Sequence, residues 1–147
     1  MQFREITVAD VPAIFAVRAA TRENTLSLTD LAEMGITEAS VTAMLDVTHR
    51  GWLCESRGRI VGFAMGNRAT GEMWVIAVLP DHEDRGIGGA LLTRVEEWLC
   101  SEGWAEIWLT TDRDPSLRAY GFYRRHGWID DGTRDGDRVM KKRRETP

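Results

Sequence analysis

Apolar positions along the chain change period several times, and the changes mark out its elements. "FREIT" alternates apolar and polar residues as a half-buried strand does. Asp10 and the early Pro12 then open a helical pattern carried by Val11, Ile14, Phe15 and Val17, which predicts a helix over 11–22. Thr37 and Glu38, followed by Val41, Met44 and Leu45, predict a second helix that ends near His49, before Gly51. "GWLCES", "RIVGFAMGNR" and "EMWVIAVL" are β-rich and punctuated by glycine, reading as three consecutive antiparallel strands. From Gly88 the helical period returns through Leu91, Leu92, Val95, Trp98 and Leu99, and Gly103 stops it. "AEIWLTT" is a short buried strand, "PSLRAYGFYRRH" starts on a helix-opening proline, and "GWIDDG" with "DRVMKK" closes as a hairpin.

The expected order is βααβββαβαββ: an α+β fold with about four helices and a mixed, mostly antiparallel sheet of six to seven strands. The segments 72–79 and 105–111, joined through one helix, are the only strand–helix–strand unit, so they are the expected parallel neighbours.

At 147 residues the chain fits a single domain spanning 1–147. With 43% hydrophobic and 29% charged residues it has the make-up of a soluble globular protein. The apolar run "WVIAVLP" is too short for a membrane, and "MQFREITVAD" lacks the regions of a signal peptide, so a cytoplasmic location without a membrane partner is expected. Cys54 and Cys100 have no redox or metal spacing and read as reduced thiols; His49, His82 and His126 are scattered, so no metal site is expected. A net charge of −4 argues against a nucleic-acid partner. The basic "KKRRETP" reads as a solvated end or a local phosphate contact.

Candidate chemistry centres on "EDRGIGGALL", where Gly86, Gly88 and Gly89 lie between a strand and a helix. A helix N-terminus exposes unpaired N–H groups and attracts anions, and glycine lets a phosphate approach the backbone; a tight turn without a ligand is the alternative. A P-loop requires Gly-Lys-Ser/Thr where this chain has Gly88, Gly89 and Ala90. A dinucleotide fingerprint requires a third glycine where Leu91 stands.

The element order and two motifs resemble the GCN5-related N-acetyltransferases over essentially the whole chain. "EDRGIGGALL" is similar to the family's Gln/Arg-x-x-Gly-x-Gly/Ala motif, with Gly86 and Gly88 in register and Glu83 replacing the usual Gln or Arg. "LRAYGFYRRHGW" is similar to Asn-x-x-Ala-x-x-x-Tyr-x-x-x-Gly-Phe: Ala119, Tyr123 and Gly127 match, Trp128 replaces Phe, and Ser116 stands at the Asn place.

The resemblance implies a three-layer α/β/α fold whose parallel strands splay apart to admit acetyl-CoA as co-substrate. It implies that main-chain N–H groups of Asp84, Arg85, Gly86, Ile87, Gly88, Gly89 and Ala90 hold the pyrophosphate. Glu83 is expected to point away, Arg85 to supply counter-charge, and Ser116 to join the cofactor site. The backbone of Ile76, Ala77 and Val78 is expected to pair with the pantetheine arm as an added strand.

The implied reaction moves the acetyl group directly to a primary amine of a small molecule or peptide. The alternative is a catalytically silent acyl-CoA-binding sensor or assembly module. N–H groups near Val78 would meet the thioester oxygen, and Tyr123 is the candidate acid, with a half-buried aromatic as its other reading. Glu72 is the candidate base, with a solvated strand-end carboxylate as its other reading. Glu23 and Asn24 are candidate acceptor ligands or helix caps. Trp74, placed by period two on the face of Ile76 and Val78, is a candidate wall of the acceptor cleft. An exposed edge at the last hairpin would permit a homodimer.

Overall fold

The computed structural model describes residues 1–21 and 26–144. Its strands are β1 (Gln2–Glu5), β2 (His49–Ser56), β3 (Arg59–Asn67), β4 (Glu72–Val78), β5 (Glu106–Thr111), β6 (Ile129–Arg134) and β7 (Asp137–Arg143). Its α-helices are α1 (Val11–Ala19), α2 (Leu28–Glu33), α3 (Glu38–Met44), α4 (Ile87–Ser101) and α5 (Arg118–Arg125). They build one seven-stranded sheet in the order β1-β2-β3-β4-β5-β7-β6, antiparallel except where β4 meets β5.

The helical path after β1 starts as a 3₁₀ turn at Val8–Asp10, one turn earlier than the Asp10 cap read from the sequence. Asp10 is only 7% exposed, yet it is satisfied there. Its carboxylate accepts from the Thr7 N–H at 2.7 Å and from both terminal nitrogens of Arg4 at 2.8 Å. The Arg4 guanidinium holds the Asp10 carboxyl down to about 2, against the opposing cost of burial. Arg4 also bonds Glu55 at 2.7 Å, so one cation ties β1, β2 and the start of α1 together.

The helix α2 adds one element to the expected order. Ser27 and Asp30 form its capping box, with Ser27 Oγ accepting from the Asp30 N–H at 3.0 Å. Its six residues are too few to show a period.

The β3 strand separates the two sides of the core. Phe63 and Met65 face α1 and α3, among Ile14, Phe15 and Val41. Gly62 and Gly66 face α4: a Cβ on Gly66 would lie 2.8 Å from Val95 Cγ1. The long amphipathic α4 buries Leu91, Leu92, Val95 and Leu99 on that side.

Candidate active site

β4 and β5 form a fork. Their parallel register is limited to Glu72 opposite Trp108, after which they diverge towards their C-terminal ends. The opening is a cleft of about 650 Å³ whose walls include Ile76, Ala77 and Val78 from β4, Thr110 and Thr111 from β5, and Phe122 and Tyr123 from α5.

Which backbone groups of β4 face the cleft follows from its pairing with β3. The Leu79 N–H donates to the Val61 carbonyl at 2.8 Å, and Ala77 lies opposite Phe63. Residues two apart on a strand point their main-chain groups the same way, so Ala77 turns its own towards β3. Ile76 and Val78 turn theirs towards the opening.

A register shift between Met65 and Gly66 sets the side chains of β4. Met65 opposes Val75 and Gly66 opposes Met73, which leaves Trp74 as the extra residue of a bulge. Trp74 therefore does not share a face with Ile76 and Val78, as period two had implied. It lines a recess under α1 and α3 with Val75, and it also reaches the wall of the cleft.

At the mouth of the cleft, Gly86 precedes α4 with φ +81°, a conformation that costs glycine nothing. The chain arrives through Asp84 at φ +61°. Among the described residues, the N–H groups of Asp84, Arg85, Gly86, Ile87, Gly88 and Gly89 have no protein acceptor. Ala90 is excluded from that set because its N–H donates to the Gly86 carbonyl at 3.1 Å, closing the first helical turn. Unpaired amides at the positive end of a 15-residue helix are chemically suited to an anion. Space beside them is guarded: a Cβ on Gly88 would sit 3.2 Å from the Phe122 ring, and one on Gly89 would sit 2.8 Å from His126 Nε2.

The charge balance differs from the expected one. Glu83 does not turn away; it lines the cleft, with its side chain 13% exposed and ion-paired to Arg118. Arg118 also reaches Asp84 at 3.1 Å. Arg85 is exposed and outside the cleft wall; the cations that line it from α5 are Arg118, which reaches Asp84 across 34 positions of the chain, and Arg125. Fixed hydrogen-bond donors and small residues fit a diphosphate, with Arg118 already balanced by Glu83 and Asp84, and the fork has room for an extended arm.

The family model of the acetyltransferase (GNAT) family matches residues 16–128. The chain belongs to that family. No curated protein matches it in sequence. Among solved structures, it is similar to the PaiA N-acetyltransferase of Thermoplasma acidophilum in complex with coenzyme A. That likeness has 17% identity, covers 98% of this chain and 100% of the other, and has a TM-score of 0.81. It is also similar to the ribosomal-protein-S18-alanine N-acetyltransferase of Escherichia coli, with 20% identity, coverage of 97% and 92%, and a TM-score of 0.72. The structure of yncA from Salmonella typhimurium with its cofactor acetyl-CoA gives 16% identity, coverage of 97% and 93%, and a TM-score of 0.74.

In this acetyltransferase, Tyr123 is 6% exposed and reaches the cleft between Phe122 and Trp128, whose rings lie 5.4 and 6.1 Å away. Its hydroxyl has no hydrogen bond among the described residues, and burial pushes the phenol well above its usual value. Glu72 sits at the joined end of the fork, outside the residues that line the cleft. Burial raises its carboxyl above the usual range, and Arg134 pulls it partly back. Ser116 is exposed outside that wall, donating its hydroxyl to Asp114 at 2.7 Å. Glu23 and Asn24 lie outside the described residues.

Sequence reasoning missed Arg118 and His126 as parts of the mouth. Neither has a local signal, because each depends on α5 packing against the start of α4. Among the described residues no cluster of side chains could hold a metal, and no helix is long and apolar enough to cross a membrane.

Proposed function

We propose that the protein transfers an acetyl group from acetyl-CoA to a primary amine. The observation that carries this reading is the run of six unpaired amides, Asp84 to Gly89, at the mouth of a fork paired at one position. Bound acetyl-CoA supplies the acetyl thioester, the activated donor. Amides of 84–89 hold its diphosphate, and the outward backbone of Ile76 and Val78 pairs with its arm. The N–H of Val78 or Ile76 meets the carbonyl oxygen as negative charge builds there.

As the amine nitrogen forms its bond to the acetyl carbon and the carbon–sulfur bond breaks, the amine gives up a proton and the sulfur gains one. Tyr123 gives the sulfur its proton. Its raised pKa keeps the hydroxyl protonated, and the same dry surroundings raise a thiol, which keeps the transfer from phenol to thiolate within reach. The amine gives its proton to water in the cleft, and Glu72, at the joined end of the fork and outside the cleft wall, is the carboxylate proposed to receive it by relay. Its raised pKa brings it closer to neutrality, where a base works best.

A thiol-release assay over a panel of small amines and N-terminal peptides tests the reading. Turnover with at least one class is expected. Tyr123→Phe is expected to lower kcat about 10²- to 10³-fold, within the range of general acid catalysis, while acetyl-CoA affinity stays unchanged. Tight acetyl-CoA binding without turnover on any amine would identify a silent binding module instead.

A further inference from the structure

Beside the cleft lies a second, smaller space. A recess with room for about one water, about 20 Å³, lies between α1, α3 and the sheet. Its walls are apolar except for Arg18, and Arg18, Trp74 and Val75 line both the recess and the cleft. Arg18, Trp74 and Val75 therefore form the boundary between the two spaces, on the β4 side of the fork.

Arg18 is half-buried in the last turn of α1. No hydrogen bond or ion pair engages its guanidinium among the described residues, and no acidic residue shares the recess. Burial depresses it from its usual value, which measures the cost of drying the charge. Arginine cannot escape that cost by deprotonating. On the recess side Arg18 is set among Phe15, Phe63 and Trp74, and on its other side it faces the cleft.

Resting on the acetyl-transfer reading, we propose that the acceptor is a small amino acid-like molecule, whose carboxylate is received by Arg18 while its amine points into the fork. The planar guanidinium matches a carboxylate with two parallel hydrogen bonds. The apolar recess beside it takes at most a short side chain. The cations of α5 do not share this recess: Arg118 is held by Glu83 and Asp84 before α4, and neither it nor Arg125 lines the space beside Arg18.

Matched pairs of small amino acids and their primary amides, assayed with saturating acetyl-CoA, test this. The acids are expected to exceed the amides in kcat/KM by about 10- to 100-fold, as the loss of a charged hydrogen-bond partner implies. Arg18→Met should bring the acid down to the level of the amide, and Arg18→Lys should restore part of the difference. Equal rates for acid and amide in the wild type, or a preference that survives Arg18→Met, would overturn the proposal. Preference for O-phosphorylated amines would overturn the carboxylate assignment.

Calorimetry on the CoA-loaded protein, using N-acetylated amino acids and their amides, gives the same comparison without turnover. Selective binding of the acids that vanishes in Arg18→Met supports the site even where no amine is acetylated. Absence of such selectivity counts against it. Failure of CoA itself to bind would instead strike the acetyl-transfer reading.

Discussion

Glu96 is 2% exposed in the middle of α4, and three donors converge on it. Trp128 Nε1 donates to one oxygen at 2.9 Å, while Lys142 Nζ and Arg144 Nη1 reach the other at 2.9 and 3.1 Å. Trp128 packs on Tyr123 at 6.1 Å, so this carboxylate links the helix that carries the unpaired amides to the one that carries the candidate acid. Glu96→Gln keeps the shape and replaces one acceptor oxygen by an NH₂ group. Either orientation then sets donor against donor.

The Lys142 and Arg144 side chains are 23% and 29% exposed, so water recovers part of their loss. Trp128 is 1% exposed and has no such recourse. Desolvation of one orphaned donor costs about 1–3 kcal/mol, and weakened bonds to two cations add about 1–2. The sum is about 3 kcal/mol, at the low end for breaking a buried ion pair. For a chain of this length that lowers Tm by about 6–12 °C. Thermal and urea unfolding measure it, with the exposed neighbour Glu97→Gln expected to stay within about 0.5 kcal/mol as control. A loss below about 1 kcal/mol in Glu96→Gln would refute the reasoning, since it would mean that Trp128 finds another acceptor at no cost.

Gly86→Ala places a Cβ in open space but at φ +81°, so a stability loss of about 1–2 kcal/mol and weaker acetyl-CoA binding are expected by thermal unfolding and calorimetry. Gly89→Ala drives a Cβ to 2.8 Å from His126 Nε2, and calorimetry should show acetyl-CoA affinity falling as the mouth is displaced. Glu72→Gln should remove the acidic limb of the rate profile and lower kcat about 10²-fold. Because the folded fold raises this carboxyl, its contribution to stability is present below the unfolded pKa of about 4.3 and lost as pH rises through the higher folded value. Glu72→Gln should therefore be no less stable than the wild type at pH 7, as urea unfolding would report.

Strands and long helices were legible because burial on one face imposes a period. Leu91, Leu92, Val95 and Leu99 specify α4 by spacing alone, and all are buried. The glycines of the mouth were legible as a motif. Other features depend on events that spacing does not encode. The bulge at Trp74 breaks period two with no glycine or proline on its own strand; Gly66 opposite it, on β3, reads equally as an ordinary close-packed strand glycine. The helix α2 is shorter than two turns. The pairing of Arg118 with Glu83, like the meeting of Arg18 with Trp74, joins residues far apart in the chain, and only packing brings them together.

A titration of ¹⁵N-labelled protein with CoA reads the unpaired amides one by one. The largest shifts are expected at Asp84, Arg85, Gly86, Ile87, Gly88 and Gly89, followed by Ile76 and Val78, with Ala77 and Ala90 moving less. Shifts that spare 84–89 and gather elsewhere, or that ADP reproduces at Ile76 and Val78, would contradict a diphosphate seat beside a groove for the acyl-bearing arm.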